Sequence, residues 1–524
     1  MTRPAVRPEN PEQERNARLR RADWRFLLPS PRPHRALCRG AGALADAVAS
    51  IADEVIAEGA DRDCDLAVAE DPDARTLTEL RDALRPGGTC YTEWHPRVGG
   101  VFQVKRALRA AGFEEIACYR RWPATAVLPD FWIPIGSPGA AAYVRSRARL
   151  RGGRVRRLLT GIRRRVHHLF GARVGSPICA IARCSAAALS ADRGPAVWLR
   201  EAWGEWGLGA APDRLSTLLV TGGPRSVSKV VLLAFVEPSP VPVIAVKAPR
   251  LDEAAAGVRR EGLALERLAA RRSGGVPGVP RLLIRREIDG VPLLVETALA
   301  GRPLQSLLTP GSHRAWSMKV ADWLAALAQG GTVLPATYWR ETIVEPMLSR
   351  FVELFERVAD RGLLREGEAI VREIGVLPSV PEQRDFGAWN VLVTPTGGLA
   401  VLDWESAEVD GLPTLDLLYY LAYASFNVDG ARDRESRIDS FRRSLDPSTP
   451  VGTVRRDCLA SYLDALGLHS TQLGSLRALV WLIHAQSDFH HAAADAGGPP
   501  PPEALARSLF LALWSEEVRD IASR

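Results

Sequence analysis

The stretch "RDFGAWNVLV", residues 384–393, decides how the carboxyl-terminal half of this chain is read. Asp and Asn are poor strand formers that favour turns, yet Asp385 and Asn390 run straight into an apolar, strand-like segment. They mark a loop and its exit at a strand's mouth. After "NVLV" come "TPTGG" and "LAVLDWE", so two apolar strands flank a Pro/Gly turn and form a hairpin. A turn centred between Thr396 and Gly397 puts Asn390 opposite Asp403, a few ångströms apart. An amide oxygen beside a carboxylate suits a hard cation such as Mg²⁺, which takes few protein ligands and fills its shell with water and phosphate oxygens. Asp385, upstream in the loop, is then placed to take a proton from a hydroxyl. An Asp, an Asn five positions on and an Asp thirteen further is the spacing that kinase-type loops use for a base and two metal ligands.

"RDFGAWNVLV…LAVLDWE" resembles the catalytic loop and metal-binding Asp of the aminoglycoside phosphotransferase and choline kinase family, which is protein-kinase-like. The resemblance implies Asp385 as catalytic base, Asn390 and Asp403 as Mg²⁺ ligands, ATP as phosphate donor and a small-molecule hydroxyl as acceptor. It also matches Asp416, in "GLPTLDLLYYL", to an Asp that the family places at the start of a helix, where its job is structural. The chain departs from the family at Gln383-Arg384, where His-Gly usually precedes the catalytic Asp. A Gln there can support the loop, and the Arg can bind a phosphate or hold the loop.

Working outward, "VPVIAVKAP" supplies Lys247 near a strand end, on the same face as Val243 and Ala245. In the helix from Asp252 to Ala270, Val258, Glu261, Leu265 and Leu268 share one apolar stripe, with Glu266 and Arg259 on the polar side. A carboxylate on a buried stripe needs a partner, and Lys247 is the expected one. "TGGPRSVSK" reads as a phosphate-covering turn with Ser226 or Ser228 near the phosphates, or as an ordinary hairpin. "LLVETALAGRPL" (293–304) resembles the family's hinge, where backbone groups of Glu296 to Ala298 would meet adenine.

In the amino-terminal half, short apolar runs alternate with helical patterns, as in "DLAVAED" (65–71) before "ARTLTELRDALRPGG" (74–88), so βαβ units and a parallel sheet are expected. "DWRFLLP", "CRGAGAL" and "ALRPGG…ALRAAGFEEIACYRRWP" resemble a class I methyltransferase in degenerate form, which implies S-adenosylmethionine near the Gly40-Ala41-Gly42 turn. The expected fold is therefore α/β plus α+β: a Rossmann-like, methyltransferase-like domain over 22–185, a linker over 186–214, a kinase-like first lobe over 215–300 and a helical lobe over 301–524. Residues 1–21, rich in Pro, Arg and Glu, read as a disordered tail.

At 524 residues the chain exceeds one ordinary core. Its formal net charge of +7 is matched by one segment, Arg145 to Arg173, with eleven Arg and no acid. That segment reads as a solvated basic face or as a contact for an anionic membrane surface or phosphorylated glycan; without interleaved aromatics it does not read as a nucleic-acid site. The seven Cys are scattered without a CxxC, which points to reduced thiols and a cytoplasmic location. The amino terminus has no secretory h-region, and no window holds eighteen uninterrupted apolar residues. The cluster "HAQSDFHH", with His484, Asp488, His490 and His491, reads as a solvated helix face rather than a zinc site.

The functional expectation is an ATP- and Mg²⁺-dependent phosphotransferase acting on a hydroxyl of a sugar, aminoglycoside or amino alcohol. Its alternatives are a scaffold protein in which both domains have lost turnover, and a bifunctional methyltransferase-kinase.

Overall fold

A computed structural model describes all residues except 1–10, 57–62, 96–99, 124–127, 151–176, 185–193, 223–227, 273–274, 497 and 524. The architecture is mixed α/β, with one large sheet and many helices, in two compact units. One unit comprises Met1–Arg259 and Leu282–Ala298, the other Arg260–Arg281 and Leu299–Arg524.

The first unit is built on a 12-stranded sheet. Its strands are β1 (Arg35–Arg39), β2 (Glu54–Ile56), β3 (Cys64–Glu70), β4 (Leu84–Trp94), β5 (Phe113–Trp122), β6 (Phe131–Pro134), β7 (Ile178–Cys184), β8 (Leu215–Val220), β9 (Lys229–Val236), β10 (Pro242–Pro249), β11 (Leu282–Ile288) and β12 (Val291–Thr297). They lie in the order β11-β12-β10-β9-β8-β6-β5-β7-β4-β3-β1-β2. Strands β2, β1, β3 and β4 run parallel, and every further pairing is antiparallel. The sequence of β3 shows why the parallel run is covered on both sides: Leu66 and Val68 enter one apolar cluster, Ala67 and Ala69 the other.

Two expectations are corrected here. The presumed linker over 186–214 contains the helix Pro195–Glu201 and a 3₁₀ turn Ala202–Trp206, with Trp198, Leu199, Trp203 and Trp206 buried against the sheet. The sheet does not break there, because β6 pairs with β8 through Phe131 opposite Val220 and Trp132 opposite Leu219. What reads as two domains is one continuous sheet. The presumed tail forms the helix Pro11–Arg21, whose last residue is fixed by a buried bidentate pair, both contacts 2.6 Å, from Arg21 to Glu93. The Arg-rich segment begins on the helix Pro138–Leu150, and its larger part, 151–173, lies outside the described residues.

The second unit is mainly helical. The helices His313–Ala328, Leu415–Asp429, Pro450–Leu466, Leu473–Ala496 and Leu509–Ala522 bury Val320, Leu324, Leu417, Leu421, Leu459, Leu479 and Leu513. Glu517, fully buried, accepts from Arg455 and, at 3.0 Å, from Arg477. The described residues of the unit also form short strands: β13 (Arg302–Pro303) beside the hairpin of β17 (Val391–Val393) and β18 (Leu399–Val401), the pair β14 (Val333–Leu334) and β15 (Leu377–Pro378), and β16 (Val380–Glu382). A last strand, β19 (Glu408–Gly411), pairs with β16. No helix among the described residues is long and apolar enough to cross a membrane.

Candidate active site

The hairpin that follows the opening loop is present, with a register one residue from the expected one. Val391 faces Val401 and Val393 faces Leu399, so Asn390 lies opposite Leu402, not Asp403. The cause is the turn: Thr394 N–H bonds Gly398 O at 2.9 Å, and Gly397 sits in the left-handed region at φ +82°, which makes a three-residue connection. Asn390 O still accepts Leu402 N–H at 2.8 Å, and Asp403 follows directly beyond the strand pair.

The loop itself is a set of tight turns. Gly387 N–H bonds Asp385 O at 2.7 Å, and Asn390 N–H bonds Gly387 O at 2.9 Å. Gly387 is required, since a Cβ there would stand 2.2 Å from the Trp389 ring. The Asn390 amide nitrogen donates to Asp385 O at 3.0 Å and to Asp385 Oδ2 at 2.8 Å. Trp389 Nε1 reaches the same Oδ2 at 3.4 Å, and Tyr419 OH reaches Oδ1 at 3.4 Å. Burial raises the Asp385 pKa to about 6, the Asp403 charge adds to that, and the Trp389, Asn390 and Tyr419 hydrogen bonds oppose it.

Gln383 does the work expected of the residue before the loop. Its Oε1 accepts Asp385 N–H at 2.9 Å, while its Nε2 donates to Leu402 O at 3.1 Å and to Asp403 O. One buried amide thus ties the Asp385 segment to the Asp403 segment. Asp416 accepts the N–H groups of Gln383 at 2.6 Å and Arg384 at 2.9 Å, a supporting position at the start of its helix. Arg384 Nε is held 2.9 Å from the buried Glu382 carboxylate. Arg384, Asp403 and Thr414 all adopt positive φ, at +66°, +64° and +70°. Left-handed backbone costs a non-glycine residue on the order of 1 kcal/mol or more, and such strain gathers at functional sites.

The donor set fits a hard cation. With its nitrogen turned to Asp385, Asn390 has its amide oxygen available, and Asp403 adds a carboxylate. Among the described residues no group of three or more His, Cys, Asp or Glu is arranged to hold a metal ion. His484 is not on a solvated face: it stacks on Tyr419, ring centroids 4.1 Å apart, and burial lowers its pKa to about 3.

In the first unit, Lys247 is buried on β10 and its Nζ lies 2.9 Å from Glu296 Oε1. The apolar stripe Val258, Glu261, Leu265 and Leu268 is buried as expected. Within the second unit, Glu261 accepts the N–H of Trp404, the residue after Asp403, at 2.9 Å. At the expected hinge, Ala298 N–H bonds Val243 O at 3.0 Å, and Glu296 lies inside β12 between β10 and β11. Ser228 precedes β9 and its carbonyl accepts Arg250 N–H at 3.4 Å; Ser226 lies outside the described residues. Sequence reasoning missed Trp389 and Tyr419 as partners of the Asp385 carboxylate. Tyr419 and Tyr423 stand three and seven residues after Asp416, which is helical spacing toward one face and the only signal available.

No protein-family model matches the chain, and no curated protein matches it. Solved structures similar to it include a thermostable mutant of aminoglycoside phosphotransferase APH(4)-Ia with ADP and hygromycin B, at 17% identity over 60% of this chain and 98% of that one, TM-score 0.34. An aminoglycoside phosphotransferase from Alicyclobacillus acidocaldarius is similar at 16% identity over 56% and 88%, TM-score 0.32. APH(3'')-Id from Streptomyces rimosus is similar at 16% identity over 53% and 93%, TM-score 0.31. Overlaps this loose decide neither fold nor function; the residues of the chain itself have to.

Proposed function

We propose that this chain is an ATP- and Mg²⁺-dependent phosphotransferase acting on a hydroxyl of a small molecule. The observation that carries the reading is the Gln383 side-chain amide, which accepts from the Asp385 N–H and donates to the Asp403 carbonyl while Asn390 bonds the Asp385 side chain. Asn390 and Asp403 would hold Mg²⁺, which when bound neutralises charge on the phosphate oxygens.

Asp385 accepts the proton of the acceptor hydroxyl as that oxygen bonds the γ-phosphorus. The bond from the γ-phosphorus to its bridging oxygen breaks, and ADP leaves with the electron pair. A carboxylate of pKa about 6 is ionised at neutral pH and basic enough to share that proton in the transition state. The remaining acceleration is positioning, which is what the Gln383, Trp389 and Tyr419 contacts supply. The test is a thermal-shift titration with ATP and Mg²⁺ on wild type and on Asp403→Ala. Stabilisation that needs both ligands and is lost in the variant supports the reading; an unshifted wild type would leave a binding protein without turnover.

A second reading, S-adenosylmethionine binding by the first unit, is favoured by the strand order. In the parallel run β2-β1-β3-β4 the order reverses between β1 and β3, the place where open α/β sheets take ligands, and Gly40 to Gly42 leave β1 there. A thermal shift with S-adenosylmethionine alone tests it.

A further inference from the structure

Asp403 is partly buried and adopts a left-handed backbone, so the direction of its carboxylate depends on how the peptides on either side are held. Ahead of it, Val401 N–H bonds Gly278 O at 2.7 Å and Leu402 N–H bonds Asn390 O at 2.8 Å. Behind it stands Trp404, fully buried, whose indole N–H donates to Val401 O at 3.0 Å. The backbone N–H of Trp404 lies beyond the last bond of the β17–β18 pair and goes to a side chain instead, Glu261 Oε1, at 2.9 Å. Glu261 is itself completely buried, on the helix Ala255–Arg271. The same helix is fastened to the residues after Trp404 at further points. Arg260 Nε donates to Glu405 O at 3.3 Å, Arg267 pairs with Asp410, and Arg271 donates to Val409 O.

We propose that Glu261 is a positioning residue for Asp403: its carboxylate holds the peptide between Asp403 and Trp404, and so sets the direction of the side chain proposed to hold Mg²⁺. The inference rests on Asp403 being a metal ligand in the proposed transfer, and it adds a residue on another element to that site. A carboxylate is costly to bury unless it is hydrogen-bonded, and an N–H given to an ionised oxygen makes a stronger bond than one given to a neutral carbonyl. Partners that orient a metal ligand typically carry about 10–100-fold in metal affinity.

The test is a thermal-shift titration of the full chain with Mg²⁺ at saturating ATP, on wild type, Glu261→Ala and Glu261→Gln. The alanine variant should raise the Mg²⁺ midpoint by about tenfold or more. The glutamine variant keeps an oxygen that can accept the Trp404 N–H and should stay near wild type. Glu261→Asp keeps the charge but draws the oxygens back by one methylene, so it should also raise the midpoint, and it answers the question where the alanine variant does not fold. A role in stability alone would lower the melting temperature without ligand and leave the Mg²⁺ midpoint in place. Midpoints that coincide in wild type and the alanine or aspartate variant overturn the inference, as does a glutamine variant shifted as far as either. The two readings are told apart by the wild type: if Mg²⁺ and ATP leave it unshifted, the transfer falls and this inference with it, whereas a shifted wild type with coincident midpoints sinks the inference alone.

Discussion

The side-chain amide of Gln383 donates to the backbone carbonyl of Asp403, so the residue two before the proposed base and the residue proposed to hold the metal are locked by one hydrogen bond. Removing the amide in Gln383→Ala strands the partly buried Leu402 and Asp403 carbonyls and the Asp385 N–H. A buried polar group left unmade costs about 1–3 kcal/mol. Urea unfolding should show a loss within that range, and MgATP should stabilise the variant less than wild type.

Asp385 gives a pH signature. Burial sets its pKa near 6, and only the ionised form can accept a proton. Turnover should therefore rise as pH climbs through about 6 and level off above it. A pH profile of kcat/KM checks this, with Asp385→Asn as the inactive reference. A profile flat from pH 5 to 8 would remove Asp385 as base.

Asp416 predicts a pH dependence of stability in the other sense. Burial first, and the Glu382 charge second, raise its pKa to about 7, well above the ordinary carboxylate range that holds in the unfolded chain. Between those two values the folded chain binds more protons than the unfolded one. Its contribution is fully present below the unfolded pKa and is lost as pH rises through about 7. Melting temperature compared across pH 4 to 8 should decline less steeply in Asp416→Asn than in wild type.

Glu517 anchors two guanidinium groups, Arg455 and Arg477, in the helical core. Glu517→Gln leaves Arg455 facing a neutral amide and Arg477 with Asp520 as its remaining carboxylate partner. Breaking a buried ion pair costs about 3–5 kcal/mol, so calorimetry should show a large fall in Tm. A fall within one degree would mean that the network is solvated.

What could be read from the sequence was local. The hairpin after Asn390, the apolar stripe around Glu261 and the placement of Asp416 at a helix start all follow from residues close in the chain. The one-residue register error arose from Gly397, because a left-handed residue in the turn changes the loop length without changing its composition. What could not be read depends on distant pairing. Lys247 meets Glu296 because β12 lies beside β10, and Tyr419 meets Asp385 because a helix returns to the loop. The segment 186–214 looked like a linker because its three tryptophans are spaced among small and charged residues, and only the tertiary fold buries them.

The β6–β8 pairing has a practical consequence for dividing this gene. A cut between residues 186 and 214, where the sequence invites one, would separate Trp132 from Leu219 and leave two raw strand edges. Unpaired edges template intermolecular pairing, so each fragment would tend to precipitate. The amino-terminal half and the strands after Leu215 share one ladder of hydrogen bonds and are to be expressed together.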